Sequence, residues 1–236
     1  MLRRWLITNP LAILVFMGFY IEGRLSSPSA LHNVVVRWAR RLLAVSGVHV
    51  TVRGQAPKEG GPFVIVSNHQ SLTDTPILLS HLGLDFRFIA KRSLFDVPII
   101  GHQLTRGGHI AVEREDARGA LESLAAAERV LREQKVSVLV FAEGTRSAGE
   151  LQAFKTGAAH LAIQAGVPVL PVAVTGTAAL LPKGAFTIHA GQVTLAIGQP
   201  IPATGLTRRD REGFTQRIRD EVVALLAGSL ADQQEK

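Results

Sequence analysis

The chain of 236 residues contains no cysteine. That absence excludes a disulfide framework, a thiol nucleophile, thiolate zinc sites and cysteine-ligated iron–sulfur clusters. Any catalysis therefore uses oxygen, nitrogen or a metal held without sulfur. Neither the His-Glu-x-x-His spacing of zinc hydrolases nor the Gly-x-Ser-x-Gly turn of serine hydrolases occurs. No segment repeats at a period that would build a solenoid or propeller. Charged residues are scarce, 19% against 47% hydrophobic, so the compositional mark of disorder is missing and a sizeable core can form.

Acid is scarcest at the N-terminus. Residues 1–53 carry seven arginines (Arg3, Arg4, Arg24, Arg37, Arg40, Arg41, Arg53) and one acid, Glu22, a balance of +6 out of a net +7. Nucleic-acid binders spread their basic residues over a polar face with interleaved aromatics. Here the arginines flank and punctuate the most apolar part of the chain, which points to an anionic membrane surface and away from nucleic acid. From Trp5 to Ile21 there are 17 uncharged residues, a helix of about 25 Å against a hydrocarbon layer of about 30 Å. A second apolar stretch comes after the turn Ser26-Ser27-Pro28-Ser29, with Arg37, Arg40 and Arg41 near one helical face. Two short helices over residues 1–47, inserted part-way into one leaflet with arginines at the headgroups, fit this pattern best. A cleaved signal peptide, a single membrane-crossing anchor and a buried helix pair remain the alternatives.

Past residue 47 strands alternate with helices. The pattern predicts strands at 49–53, 63–66, 86–90, 110–112, 136–141, 169–175 and 193–197, and helices at 75–82, 117–134, 154–165 and 207–227. In the helix at 117–134, Ala117, Leu121, Leu124 and Leu131 are expected on the buried face. The expected fold is α/β over 48–236: a largely parallel central sheet with helices on both faces, preceded by the N-terminal two-helix membrane-binding motif. Ligands in such sheets collect at the carboxyl ends of strands.

Three polar clusters succeed apolar strands at that edge. In Ser67-Asn68-His69-Gln70-Ser71-Leu72-Thr73-Asp74, His69 and Asp74 would not meet on a regular helix. A loop at His69 that turns into a helix near Asp74, with Pro76 in its first turn, lets the carboxylate fold back onto the imidazole and makes a general base of the other ring nitrogen. The competing reading is a helix cap beside an ordinary loop histidine. In Phe141-Ala142-Glu143-Gly144-Thr145-Arg146-Ser147, the acid, glycine and arginine suit an anionic or polyol ligand; the competing reading is a Glu143 to Arg146 ion pair holding a turn. Lys155, in Phe154-Lys155-Thr156-Gly157, stands where a helix is expected to begin, unfavourably unless an anion is near. Gly108 to Arg114 forms a strand with an arginine at its exit, and Lys91 closes the strand 86–90 on the same rim.

In this order and spacing the clusters resemble the four motifs of the glycerolipid acyltransferase superfamily, specifically the 1-acyl-glycerol-3-phosphate acyltransferases. Asn68-His69-x4-Asp74 matches the first, Gly108 to Arg114 the second, Glu143-Gly144-Thr145-Arg146-Ser147 the third and Val169-Leu170-Pro171-Val172 the fourth. The chain departs at Ala111, where an aromatic is usual, at Ala142, where proline is usual, and at Ser93, often glutamate; Ala111 is expected to widen the acceptor site. The resemblance implies direct acyl transfer from acyl-CoA or acyl carrier protein to the sn-2 hydroxyl of a lyso-lipid, giving phosphatidic acid, with no cofactor and no metal. It implies His69 as base, Asp74 as its orienting partner and Lys91 at the oxyanion. Asn68, Arg114, Glu143, Gly144, Thr145, Arg146 and Lys155 are implied around the acceptor. The expected location is monotopic on the inner membrane, with the catalytic domain facing the cytoplasm. Another lyso-lipid acceptor (lyso-ornithine lipid or lysophospholipid), hydrolysis of acyl thioesters or lysophospholipids, and a non-enzymatic basic membrane or nucleic-acid binding module are the rival functions.

Overall fold

In the computed structural model, residues 10–113, 116–147, 150–182, 184–185 and 187–234 are described. Apart from two strands of reversed direction, the chain winds one parallel sheet. Its strands are β1 (Val48–Arg53), β2 (Val64–Ser67), β3 (Phe86–Lys91), β4 (Ile110–Val112), β5 (Ser137–Phe141), β6 (Val169–Thr175) and β7 (Gly191–Ile197). The spatial order is β1-β7-β6-β2-β5-β3-β4. The five strands from β6 to β4 are mutually parallel; β7 pairs antiparallel with β6 and parallel with β1, so β7 and β1 are the reversed pair. The expectation of a largely parallel sheet holds.

The sequence alternates between two cores. Ile65, Leu139, Leu170, Val172 and Val174 pack with α2 (Pro28–Val45) and α3 (Asp74–His81) on one face. Their neighbours Val64, Val66, Val138 and Val169 pack on the other with α5 (Ala117–Arg129), α6 (Gly157–Ala165) and the C-terminal α8 (Arg211–Gln234). Period-two alternation that is apolar at every step is what a strand buried on both faces requires. α5 starts under an Asp116 cap that accepts from the amides of Arg118 and Gly119. The buried face of α5 and the turn after it carries Ser123, Ala127, Val130 and Leu131. Leu121, expected on that face, is instead 65% exposed, because Ala127 and Leu131 set the inward stripe and Leu121 lies off it. α6 begins only at Gly157, so Lys155 sits in the preceding loop and not in the helix.

Two short helices were not expected, α4 (Ile100–Arg106) and α7 (Thr177–Leu180). α1 (Pro10–Leu25) and α2 form the N-terminal pair. Ser27 caps α2, accepting from the Ala30 amide, with Pro28 at the first position. Glu22 joins the two helices, accepting from the Trp38 indole at 2.7 Å and from Arg37. The indole hydrogen bond and then Arg37 hold its carboxyl below the usual range. Arg41 lies over the Trp38 ring and Arg40 donates to the Ser80 carbonyl of α3. α2 buries Leu31, Val34 and Leu43 against the body of the protein. Among the described residues no helix is long and apolar enough to cross a membrane.

Candidate active site

β2 ends at Ser67 beside Phe141, the last residue of β5, and the two chains leave the sheet together. The loop leaving β2 is fixed by main-chain contacts. The Asn68 side chain donates to the Val174 carbonyl and accepts from the Val174 amide, both at 2.9 Å, so this amide group completes the ladder of β6 as another strand residue would. Asn68 was expected among the substrate-binding residues; both ends of its side chain are committed to β6.

One turn later α3 begins, and its first residue, Asp74, is fully buried. A single carboxylate oxygen, Oδ2, takes the His69 ring at Nδ1 (2.8 Å) and the amides of Gln70 (2.7 Å) and Ser71 (2.9 Å). The loop-then-helix geometry inferred from the spacing of five residues is observed. Thr73 stands at the cap position without making a side-chain cap bond, and Asp74 folds back in its place. Because the carboxylate can only accept, the Nδ1 proton points at Asp74 and Nε2 carries the lone pair. The orienting contact is the arrangement a proton-accepting histidine needs.

Glu143 is almost equally buried, at 4% exposed against 7% for His69. Its Oε1 accepts the His69 amide at 2.8 Å, while Oε2 accepts the Ser147 hydroxyl and the Gln152 amide. Among the described residues no ion pair joins it to Arg146. Its carboxylate therefore joins the two loops, and Arg146 is half-buried beside it in sequence. Gly144 adopts φ +72, where side chains are strained, and a Cβ there would press within 2.9 Å of the Lys155 Cε. Glycine thus admits the lysine stem across the turn, and the Lys155 amide donates to the Ala142 carbonyl at 2.8 Å. Thr145 is exposed on the rim, as is Lys91 at the end of β3. Arg114 lies outside the described residues.

Beside this edge runs a cavity of about 160 Å³ walled by Ile89, Val112, Leu124, Val140 and Phe141, with Gly144 and Lys155 at its polar end. Ala111 does not open into it. Its neighbours Gly108, Glu113 and Gly119 place it in a larger groove of about 540 Å³ outside the edge strand β4. His109, noted in the second motif, is half-buried and takes no part in this edge: it stacks on Phe88 and accepts the Phe88 amide at Nδ1 (3.2 Å). Burial, with Arg87 and His32 nearby, pushes its pKa down to about 3. Sequence reasoning missed Phe141, whose ring stacks on the His69 imidazole. Its apolar character marked it only as the end of a strand.

The fold, with its buried His-x4-Asp pair at the strand ends, is of the acyltransferase class. The acyltransferase family model matches residues 49–175, over half of the chain, and the chain belongs to that family. It is 35% identical over 193 residues to a 1-acyl-sn-glycerol-3-phosphate acyltransferase of Chlamydomonas reinhardtii, spanning 79% of this chain and 58% of that protein. To the human 1-acyl-sn-glycerol-3-phosphate acyltransferase alpha it is 33% identical over 183 residues, 76% of this chain and 64% of the relative. The chain thus spans about four-tenths to two-thirds of the length of such curated relatives. Among solved structures, the 1-acyl-sn-glycerophosphate acyltransferase PlsC of Thermotoga maritima superimposes with a TM-score of 0.73 at 28% identity, covering 92% of this chain and 94% of that one.

Proposed function

We propose that this protein transfers a fatty acyl group from acyl-CoA or acyl carrier protein to the sn-2 hydroxyl of 1-acyl-glycerol-3-phosphate, giving phosphatidic acid. The observation that carries the reading is the buried Asp74 carboxylate on His69 Nδ1, which leaves Nε2 as base at the strand ends. In the reaction Nε2 takes the hydroxyl proton as the oxygen attacks the thioester carbonyl, and Asp74 stabilises the imidazolium. The tetrahedral intermediate then expels the thiolate, which takes the proton back from the imidazolium. Lys91 and backbone amides stabilise the oxyanion. Arg146 and Lys155, together with Arg114, hold the acceptor phosphate, Thr145 and Gly144 shape its approach, and the apolar cavity against Phe141 receives acyl chain. Asn68 and Glu143 act by fixing the loops that carry these groups. Residues 48–236 form the acyltransferase domain.

Residues 1–47 set this domain on an anionic membrane surface. The support is a stripe of exposed Met17, Ile21 and Leu25 at successive fourth positions of α1, with exposed Arg24 beside it and Arg37, Arg40 and Arg41 on α2. Cytosolic thioesters would place the domain on the cytoplasmic face of the inner membrane. The test is mass spectrometry of products from purified full-length protein with mixed acyl-CoA and acyl carrier protein donors, supplied with 1-acyl-glycerol-3-phosphate, lyso-ornithine lipid and lysophospholipids. Phosphatidic acid as the main product supports the reading; free fatty acid as the main product refutes it.

A further inference from the structure

His69 is held from four sides, and three of the holds come from residues 141–147. Asp74 takes Nδ1, Glu143 takes the main-chain amide, the Ser147 amide donates to the main-chain carbonyl at 2.9 Å, and Phe141 covers one ring face. The two rings lie 3.9 Å apart between centroids and 15° from parallel. The stack arises from sheet register: Phe141 stands opposite Ser67, two residues before His69, and the Ala142 amide donates to the Ser67 carbonyl at 3.3 Å.

We propose that Phe141 is a positioning residue for the proton transfer, an inference that rests on His69 being the base. A hydrogen bond at Nδ1 fixes one edge of an imidazole and still lets the ring tilt about the line to Asp74. A flat ring on one face removes that freedom and so sets the direction of Nε2. The same face presents the negative side of the benzene quadrupole to the positive charge that the imidazole acquires as it takes the proton. Phe141 also borders the apolar cavity, so its role in orienting the base must be separated from a role as a wall for substrate.

Phe141→Leu retains apolar bulk and removes the ring face; Phe141→Met does the same with a more adaptable chain and serves should the leucine variant melt early. Acyl transfer is measured for each, with Phe141→Tyr as the conservative variant. The expected result is a fall in kcat of about 3- to 30-fold, KM for donor and acceptor within about twofold, and recovery of most of the rate by tyrosine. In a His69→Ala background the same changes should leave the residual rate within about twofold, since Phe141 acts through the imidazole. A raised KM with unchanged kcat would show a cavity wall, and an equal loss in both backgrounds would show an action independent of His69; either overturns the proposal. Full activity of His69→Ala would refute the base assignment itself. A disabled His69→Ala beside a fully active Phe141→Leu and Phe141→Met would refute only the positioning role.

Discussion

Two histidines in this protein, one buried and one half-buried, each stack on a phenylalanine, and their hydrogen bonds call for opposite tautomers. His69 stacks on Phe141 and His109 on Phe88, with centroid separations of 3.9 and 3.8 Å. At His69 the Nδ1 partner is a carboxylate; at His109 it is a main-chain N–H. The first partner demands a proton on Nδ1 and leaves a lone pair on Nε2. The second demands the lone pair on Nδ1 and moves the proton to Nε2. Around His109 the nearby charges, Arg87 and His32, are of the sign that opposes a further proton, in addition to burial. A stacked histidine is thus a structural ring unless a carboxylate stands behind it, which is why only one of the pair is a candidate base.

The comparison breaks first at His69. His69→Ala should lower acyl transfer by about 10²- to 10⁴-fold without loss of the fold, and Asp74→Asn should fall equally or less far; steady-state kinetics and thermal unfolding check both. Next comes the acceptor phosphate. Truncating a charged, partly desolvated contact generally costs about 2 to 5 kcal/mol, so Arg146→Ala should lose about 30-fold or more in kcat/KM with a phosphorylated lyso-acceptor and little with the matching monoacylglycerol. Equal losses on both would return Arg146 to a structural role.

Smaller effects fall on stability. Asn68→Ala strands the buried amide and carbonyl of Val174, at about 1 to 3 kcal/mol for each orphaned group, measurable by chemical denaturation. His109 supplies the pH test. Its folded pKa of about 3 lies below the ordinary 6.5, so the unfolded chain takes a proton that the folded chain refuses. The associated stability is complete above about pH 6.5 and is lost as the pH falls toward 3, with a slope of at most about 1.4 kcal/mol per pH unit. His109→Gln, which keeps an acceptor for the Phe88 amide, should flatten that slope relative to the parent and retain acyl transfer. An unchanged slope would remove His109 from the acid sensitivity.

The His69–Asp74 pair was legible because both members lie within one turn-and-helix segment, where spacing and the proline at 76 dictate the local path. The strands were legible for a similar reason: runs of three to seven residues rich in apolar side chains need no long-range information to be recognised. The contact of Glu143 with the His69 amide was not legible because the two lie 74 residues apart in sequence. Only the adjacency of β2 and β5 brings the two together. The Phe141 stack was hidden by the same distance. α4 was illegible for a different reason. Ile-Gly-His-Gln-Leu-Thr-Arg has no helical periodicity, and the helix is entered through Ile99 at φ 71, a conformation that a β-branched residue rarely adopts and that its sequence does not announce. Leu121 was misplaced because an alanine-rich helix supports more than one apolar face until the sheet selects one.

The side chains that fix His69 and its loop have one property in common that bears on how such a protein can evolve. Asn68 binds the main chain of Val174, Glu143 the main chain of His69 and Gln152, and Asp74 the main chain of Gln70 and Ser71. Peptide groups are the same for every residue except proline, so residues 70, 71, 152 and 174 can drift among the others while the three side chains that address them stay in place. The machinery is written in a handful of letters and read against a backbone that any strand-forming or turn-forming sequence supplies. Relatives sharing only about a third of their residues can therefore build the same corner without sharing the walls around it.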